Sequence, residues 1–216
     1  MNDKFVLILV YVDDLLITRN DLEEIQRAES TLHQNFKLKD LGDLRYFLGI
    51  EFARSTEGIF MSQRKYVLDM ISDVGLAGSR PKETPMEQNL KLTSTEFNEC
   101  LKTCDNDETL EDTGRFQRLI GKLLYLTITR PDIAYAFQCL SQFMHSPKKS
   151  HYEAALHVVR CIKNQPGLGL LMSSKSEQKI EAYCDSNWAS CPMSRKSVTG
   201  YCIKLGSSLI SWKAKK

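Results

Sequence analysis

The stretch "VLILVYVDDLLITR" near the start of the chain is almost wholly apolar, yet it carries two adjacent aspartates, Asp13 and Asp14, at its centre. An ionised carboxylate taken out of water without a partner, a proton or a cation is strongly destabilising. One continuous buried strand is therefore a poor solution. Two strands over residues 5–12 and 15–18, folded back on each other with the aspartates at or beside the turn, satisfy both the apolar residues and the acids. The apolar run before the aspartates follows Lys4 but has no small-residue cleavage site and is too short to span a bilayer. It reads as a buried strand, and the chain as intracellular rather than secreted.

Further along, "NDLEEIQRAESTLHQNF" repeats Leu22, Ile25, Leu32 and Phe36 at helical spacing, with Asn20 placed as an N-cap. "RYFLGIEFA" and "GIFMSQ" read as a hairpin around "RSTEG", and "KYVLDMISDVGLAG" as a helix closed by Gly75 or Gly78. Residues 87–114 are polar and acidic with little periodicity, so a linker or surface excursion is expected there. Helical patterns follow over 116–125, 131–144 and 148–163, and strand-like segments close the chain in "KIEAYCDSNWAS", "SVTGYCIKLG" and "SLISWKAKK".

A formal net charge of +2 neither demands nor excludes nucleic acid, so the distribution of charge matters more than its sum. Seven cysteines, an odd number without C-x-x-C spacing, read as reduced thiols rather than as a disulfide framework or a zinc site.

A pair of carboxylates on a rigid turn suits Mg²⁺, which takes hard oxygen ligands and is usually held by one or two carboxylates plus substrate phosphates. Neighbouring strand residues point oppositely, so Asp13 and Asp14 cannot be equivalent ligands. An ordinary hairpin turn is the competing reading, because Asp is a favoured turn residue.

The context carries a resemblance. "YVDDLLI" resembles the Tyr-x-Asp-Asp motif of reverse transcriptases. "LKDLGDLRYFLGIEF", "GIFMSQRKYVLDMI", "PKETPM", "LIGKLLYLTITRPDIAYAFQCLSQFMHSP" and "AYCDSNWASCPMSRKSVTGYCIKLGSSLISWKAKK" resemble segments of copia-type LTR retrotransposon Pol polyproteins, in the same order. Several long matches in order are far more specific than any single motif.

The resemblance implies an α+β fold. Residues 1–86 would form the C-terminal part of a reverse transcriptase palm, 87–114 an acidic linker and 115–170 a helical thumb or connection. Residues 171–216 would form the first antiparallel strands of a ribonuclease H-like sheet. It also implies roles. Asp13 and Asp14 would be catalytic Mg²⁺ ligands in a two-metal site, with Tyr11 beside the primer end and incoming nucleotide. Leu48 and Gly49 would lie where a primer-grip hairpin approaches the primer, and Asp185 would be the leading metal ligand of ribonuclease H. Lys37 or Lys39 would be placed to protonate pyrophosphate, although a lysine at a helix end needs no such role.

Arg115, Arg118, Lys122, Lys148, Lys149, His151, Arg160 and Lys163 could meet template–primer phosphates or simply form solvated helix faces. The aromatics Phe116, Tyr125, Tyr135, Phe137 and Phe143 read as core. The partners implied are RNA/DNA template–primer and deoxynucleotides, with no membrane; the oligomeric state is left open. The family's other essential polymerase aspartate is expected upstream of Met1, and Asn187 stands where a second ribonuclease H aspartate is usual. The expectation is therefore a Pol fragment, inactive alone. A non-enzymatic relic or a co-opted nucleic-acid-binding protein is the rival reading.

Overall fold

A computed structural model describes residues 5–20, 22–101, 107–175 and 179–216, so Cys104 lies outside the described residues. Contacts divide the chain into two units, Met1–Leu48 and Gly49–Lys216.

In the first unit, β1 (Val6–Tyr11) pairs antiparallel with β2 (Asp14–Arg19) in a register running from Val6↔Arg19 to Tyr11↔Asp14. The Asn20 side-chain oxygen accepts the Phe5 N–H at 3.2 Å, continuing the pairing beyond the strands. Helix α1 (Leu22–Asn35) follows, then a two-residue strand, β3 (Tyr46–Phe47). The expected burial of the first strand is not found, because every residue of β1 is exposed. The physical reason is geometric. A two-stranded ribbon has two faces and buries neither unless something packs on it. Among the β2 side chains whose burial is described, only Leu15, Leu16 and Ile17 are half-buried, on the strand that α1 touches.

The second unit opens with the hairpin of β4 (Ile50–Ser55) and β5 (Gly58–Ser62), paired from Glu51↔Ser62 to Ser55↔Gly58. Helix α2 (Arg64–Asp73) ends at Gly75, whose φ of 72° places it in the left-handed region that a side chain disfavours. The Leu76 N–H then reaches back to the Ile71 carbonyl at 3.0 Å, satisfying an orphan group of the last turn.

Residues 87–114, expected to be a linker, contain a short helix, α3 (Thr95–Leu101). They are also fastened to the rest of the unit. The Leu110 N–H donates to the Pro147 carbonyl at 2.8 Å, and Asp107 accepts bonds from the Ser150 N–H and hydroxyl at 3.0 and 2.6 Å.

The core is helical. Helix α4 (Thr113–Leu126) begins where the Asp112 side chain accepts the Arg115 N–H, and it buries Phe116, Leu119, Ile120, Leu123 and Leu126 along one face. After Pro131 a 3₁₀ turn leads into α5 (Ala134–Leu140). Helix α6 (Lys149–Asn164) adds Ala155, Val158, Val159 and Ile162, and α2 adds Val67, Met70 and Ile71. Each such Val, Leu, Ile, Met or Phe side chain contributes about 1.5–3 kcal/mol on leaving water. The Lys163 ammonium donates to the carbonyls of Leu76, Ala77 and Ser79 at 2.9, 2.6 and 2.6 Å, pinning the exit of α2 onto α6.

A strand that the periodicity does not predict, β6 (Gly169–Ser173), returns to pair antiparallel with β5. The 170/171 boundary drawn from the sequence passes through it. The last three strands, β7 (Ile180–Ser186), β8 (Thr199–Leu205) and β9 (Ser208–Lys215), form a separate antiparallel meander. It is tied to the helices by the Trp212 indole N–H, which donates to the Thr127 carbonyl at 2.9 Å. The Ser173 N–H also donates to the Ser208 hydroxyl at 2.8 Å. Among the described residues, no helix is long and apolar enough to cross a membrane.

Candidate metal hairpin and neighbouring sites

The β1–β2 connection is a two-residue turn, Val12 and Asp13. Val12 is left-handed at φ 49°, a costly conformation for a β-branched residue. Tyr11 and Asp14 are directly paired across the strands, so their side chains leave the same face of the ribbon. Asp13 leaves from the loop itself. The structure thus brings Tyr11, Asp13 and Asp14 to one end of a hairpin, with all three exposed. Solvent reaches both carboxylates, and this resolves the conflict between acids and greasy flanks.

Two adjacent, solvent-reachable carboxylates fit part of a Mg²⁺ shell, since Mg²⁺ keeps several waters and needs few protein oxygens. Among the described residues, no group of three or more His, Cys, Asp or Glu side chains is arranged to hold a metal. The hairpin offers two carboxylates, and in a Mg²⁺ shell built on them the remaining positions would fall to water and substrate.

Leu48 and Gly49 are both left-handed, with φ of 49° and 75°. The expected continuous strand over "RYFLGIEFA" is therefore broken by a tight turn. Gly49 has a second constraint, because a Cβ built there would lie 2.7 Å from the Tyr125 hydroxyl. Tyr125 in turn meets Tyr66 edge-to-face at 5.1 Å between centroids. Burial, reinforced by Tyr125 and Asp73, pushes the Tyr66 phenol upward.

Asp185 sits on β7 opposite Gly200 and is exposed. Two residues on, the Asn187 amide oxygen accepts the Val198 N–H at 2.6 Å, and its NH₂ donates to the Tyr135 hydroxyl at 3.1 Å. Asn187 thus closes the 187–198 loop through its oxygen and ties it to Tyr135 of α5 through a donor that an aspartate lacks. Nothing in its sequence context signals this use, because the partners come from α5 and the far side of the loop.

The basic residues of the helical segment are mostly engaged within the protein. His151 is fully buried and stacked on Phe143 at 3.8 Å. Its Nδ1 accepts the Lys148 N–H at 3.0 Å, while Nε2 lies 3.1 Å from the Thr93 carbonyl, fitting a neutral ring with the proton on Nε2. Lys148 is buried against Asp107 at 3.2 Å. Lys122 pairs with Asp73, Arg118 with Asp112 and Lys149 with Glu108, and Arg115 lies over the Tyr152 ring at 4.8 Å. His151, Lys148 and Lys163 are thus packing and capping residues. Among the aromatics, Phe116 and Phe143 are core as expected, whereas Tyr135 is exposed.

The profile of the reverse transcriptase (RNA-dependent DNA polymerase) family matches residues 1–88. The chain is similar to the uncharacterized mitochondrial protein AtMg00810 of Arabidopsis thaliana, at 36% identity over 97% of this chain and 82% of that protein. It is also similar to the retrovirus-related Pol polyproteins from transposons RE2 and RE1 of the same plant. Identities are 36% and 37%, each over 98% of this chain but 14% of the polyprotein. The chain therefore corresponds to about one seventh of those polyproteins. No solved structure matches it.

Proposed function

Because the chain belongs to the reverse transcriptase family carried by copia-type retrotransposon Pol polyproteins, we propose that it is the part of such an enzyme that supplies the polymerase Asp-Asp hairpin. The observation that carries this reading is the turn of Tyr11, Val12, Asp13 and Asp14, with both carboxylates open to solvent at the tip of an apolar ribbon. The reaction is RNA-directed DNA synthesis, in which a primer 3′-hydroxyl attacks the α-phosphate of a deoxynucleotide.

Asp13, projecting from the loop, is the principal ligand for Mg²⁺, and Asp14, on the strand, assists from the Tyr11 face. Bound Mg²⁺ supplies Lewis-acid stabilisation of charge on the phosphate and favours ionisation of the attacking hydroxyl. The Tyr11 ring offers a flat, exposed surface next to the carboxylates, suited to hold the primer end. The Leu48–Gly49 turn approaches the primer backbone. Strands β7–β9 are the opening of a ribonuclease H-like sheet with Asp185 as its first acid, and the protein works inside the cell.

Alone, the 216-residue chain makes no DNA. A two-metal centre needs carboxylates from more than one strand end, and the hairpin contributes only its own pair. Primer extension tests this. The chain by itself gives no product, and the chain joined to the upstream fingers and palm of a relative's Pol extends a primer. In the longer protein Asp13→Asn lowers the rate by at least about 10²–10³-fold, the scale of removing one preorganised electrostatic stabiliser. Full activity of the Asp13→Asn longer protein would overturn the assignment.

A further inference from the structure

Away from the hairpin, the segment 85–92, helix α5 and the 190–198 loop enclose a cavity of about 550 Å³. Its wall is largely apolar, from Met86, Ala136, Phe143 and Met193, and two thiols, Cys139 and Cys191, open onto it. The Lys216 ammonium lies 2.8 Å from Cys191 Sγ and is held by the Gln142 side-chain oxygen at 2.5 Å. The 191–196 turn is closed by the Arg195 N–H on the Cys191 carbonyl at 2.9 Å and the Cys191 N–H on the Lys196 carbonyl at 3.2 Å. The sulfur is therefore fixed in position, faces a pocket large enough for a small aromatic molecule, and has a cation at its back.

We propose that this cavity is a thiol-exchange site, in which Cys191 attacks small uncharged disulfides and retains half of the reagent as a mixed disulfide. The step balances without a further oxidant. The Cys191 sulfur forms a bond to one sulfur of the reagent, the reagent's S–S bond breaks, and the other half leaves as a thiolate that takes a proton from water. The Lys216 ammonium stabilises the attacking thiolate, and the apolar wall holds the reagent's organic part.

The two thiols are set apart by their surroundings. Burial pushes the Cys139 thiol up, so it stays protonated. Burial alone would also raise Cys191, but hydrogen bonds from Lys216, Ser194 and the 193–194 backbone outweigh it and bring the thiol to about 7. The other titratable groups around the cavity are Glu87, Lys91, Asp132 and Tyr135. Asp132 is held by the Arg130 guanidinium at 2.7 and 2.9 Å, and burial raises the Tyr135 phenol so that it stays neutral.

The probe is 4,4′-dithiodipyridine, with absorbance of the released thione giving rates and peptide mass mapping giving positions. At pH 6, a thiol titrating near 7 reacts about fivefold faster than an ordinary thiol near 8.5, after its lower intrinsic nucleophilicity is counted. With the Lys216 ammonium beside its sulfur and the cavity to seat the reagent, Cys191 is labelled before the exposed Cys100 and Cys184, although it is buried. Lys216→Met moves the pH midpoint of the Cys191 reaction upward while the labelling rates of Cys100 and Cys184 stay the same. Met193→Trp, which narrows the cavity, slows Cys191 towards this reagent. Labelling of Cys100 and Cys184 ahead of Cys191 would overturn the proposal. So would an unchanged pH midpoint in Lys216→Met, a variant at a chain end whose fold circular dichroism verifies.

Discussion

The two units of the chain spend similar side chains in opposite ways. In residues 5–48 no described residue is buried, although β1 is Val, Leu and Ile up to Tyr11 and β2 carries Leu15, Leu16 and Ile17 at its centre. From Gly49 onward, the leucines, isoleucines and valines of α2, α4, α5 and α6 close a core in which Phe116, Leu123, Ile133 and Val158 are fully buried. Composition therefore does not decide burial. A helix presents one apolar stripe, and four such stripes can face one another, whereas a two-stranded ribbon has two greasy faces and one helix to cover them. The second unit carries the stability of the chain, and the first carries the Asp-Asp tip.

Paired substitutions would break this contrast most visibly. Phe116→Ala should cost about 3–5 kcal/mol in urea unfolding, because it removes a fully buried ring and leaves a cavity. Leu9→Ala, on the exposed ribbon, should stay within about 0.5 kcal/mol. Equal losses would mean that the ribbon is as well packed as the helices.

A smaller effect is expected at Lys163. Lys163→Met keeps the aliphatic stem but takes this donor from the Ala77 and Ser79 carbonyls, while Leu76 keeps its bonds from Ser79, and should cost about 1–3 kcal/mol in the same measurement. An unchanged midpoint would show that water replaces the ammonium there.

The smallest effect is confined to acid. Burial would raise the Asp107 carboxyl, but hydrogen bonds from Ser150 and Lys148 and the Lys148 charge outweigh it and hold the group below its ordinary value. A folded-state value lower than the unfolded one means that the contribution is fully present above the unfolded value of about 3.9 and is lost as pH falls through the folded value. Asp107→Asn should therefore flatten the loss of stability below about pH 4, and a stability curve of unchanged acid slope would refute the coupling.

Much of the organisation was legible in the residues. The apolar runs on either side of the adjacent Asp13 and Asp14 pointed to a hairpin, and helical spacing found α4 and α6 to within a few residues. The strand β6 was not legible, because "GLGLLMSS" is too short for periodicity to separate a strand from a helix end, and only its partner β5 decides. The same holds for 107–110, whose order comes from bonds to 147–150, about forty residues later in the chain. His151 looked like a surface base on a helix. Its burial depends on Phe143 and Thr93, which no local pattern associates with it. At the hairpin tip, sequence identified Tyr11, Asp13 and Asp14, but could not tell that the ribbon behind them stays exposed.

The claim that the hairpin tip is a metal-binding turn can be tested in the chain itself by paramagnetic broadening of amide resonances during titration with Mn²⁺ as a stand-in for Mg²⁺. Broadening is expected to centre on residues 11–15 and to be abolished by the double substitution Asp13→Asn and Asp14→Asn. Broadening centred elsewhere, or retained at the tip in that double variant, would contradict it.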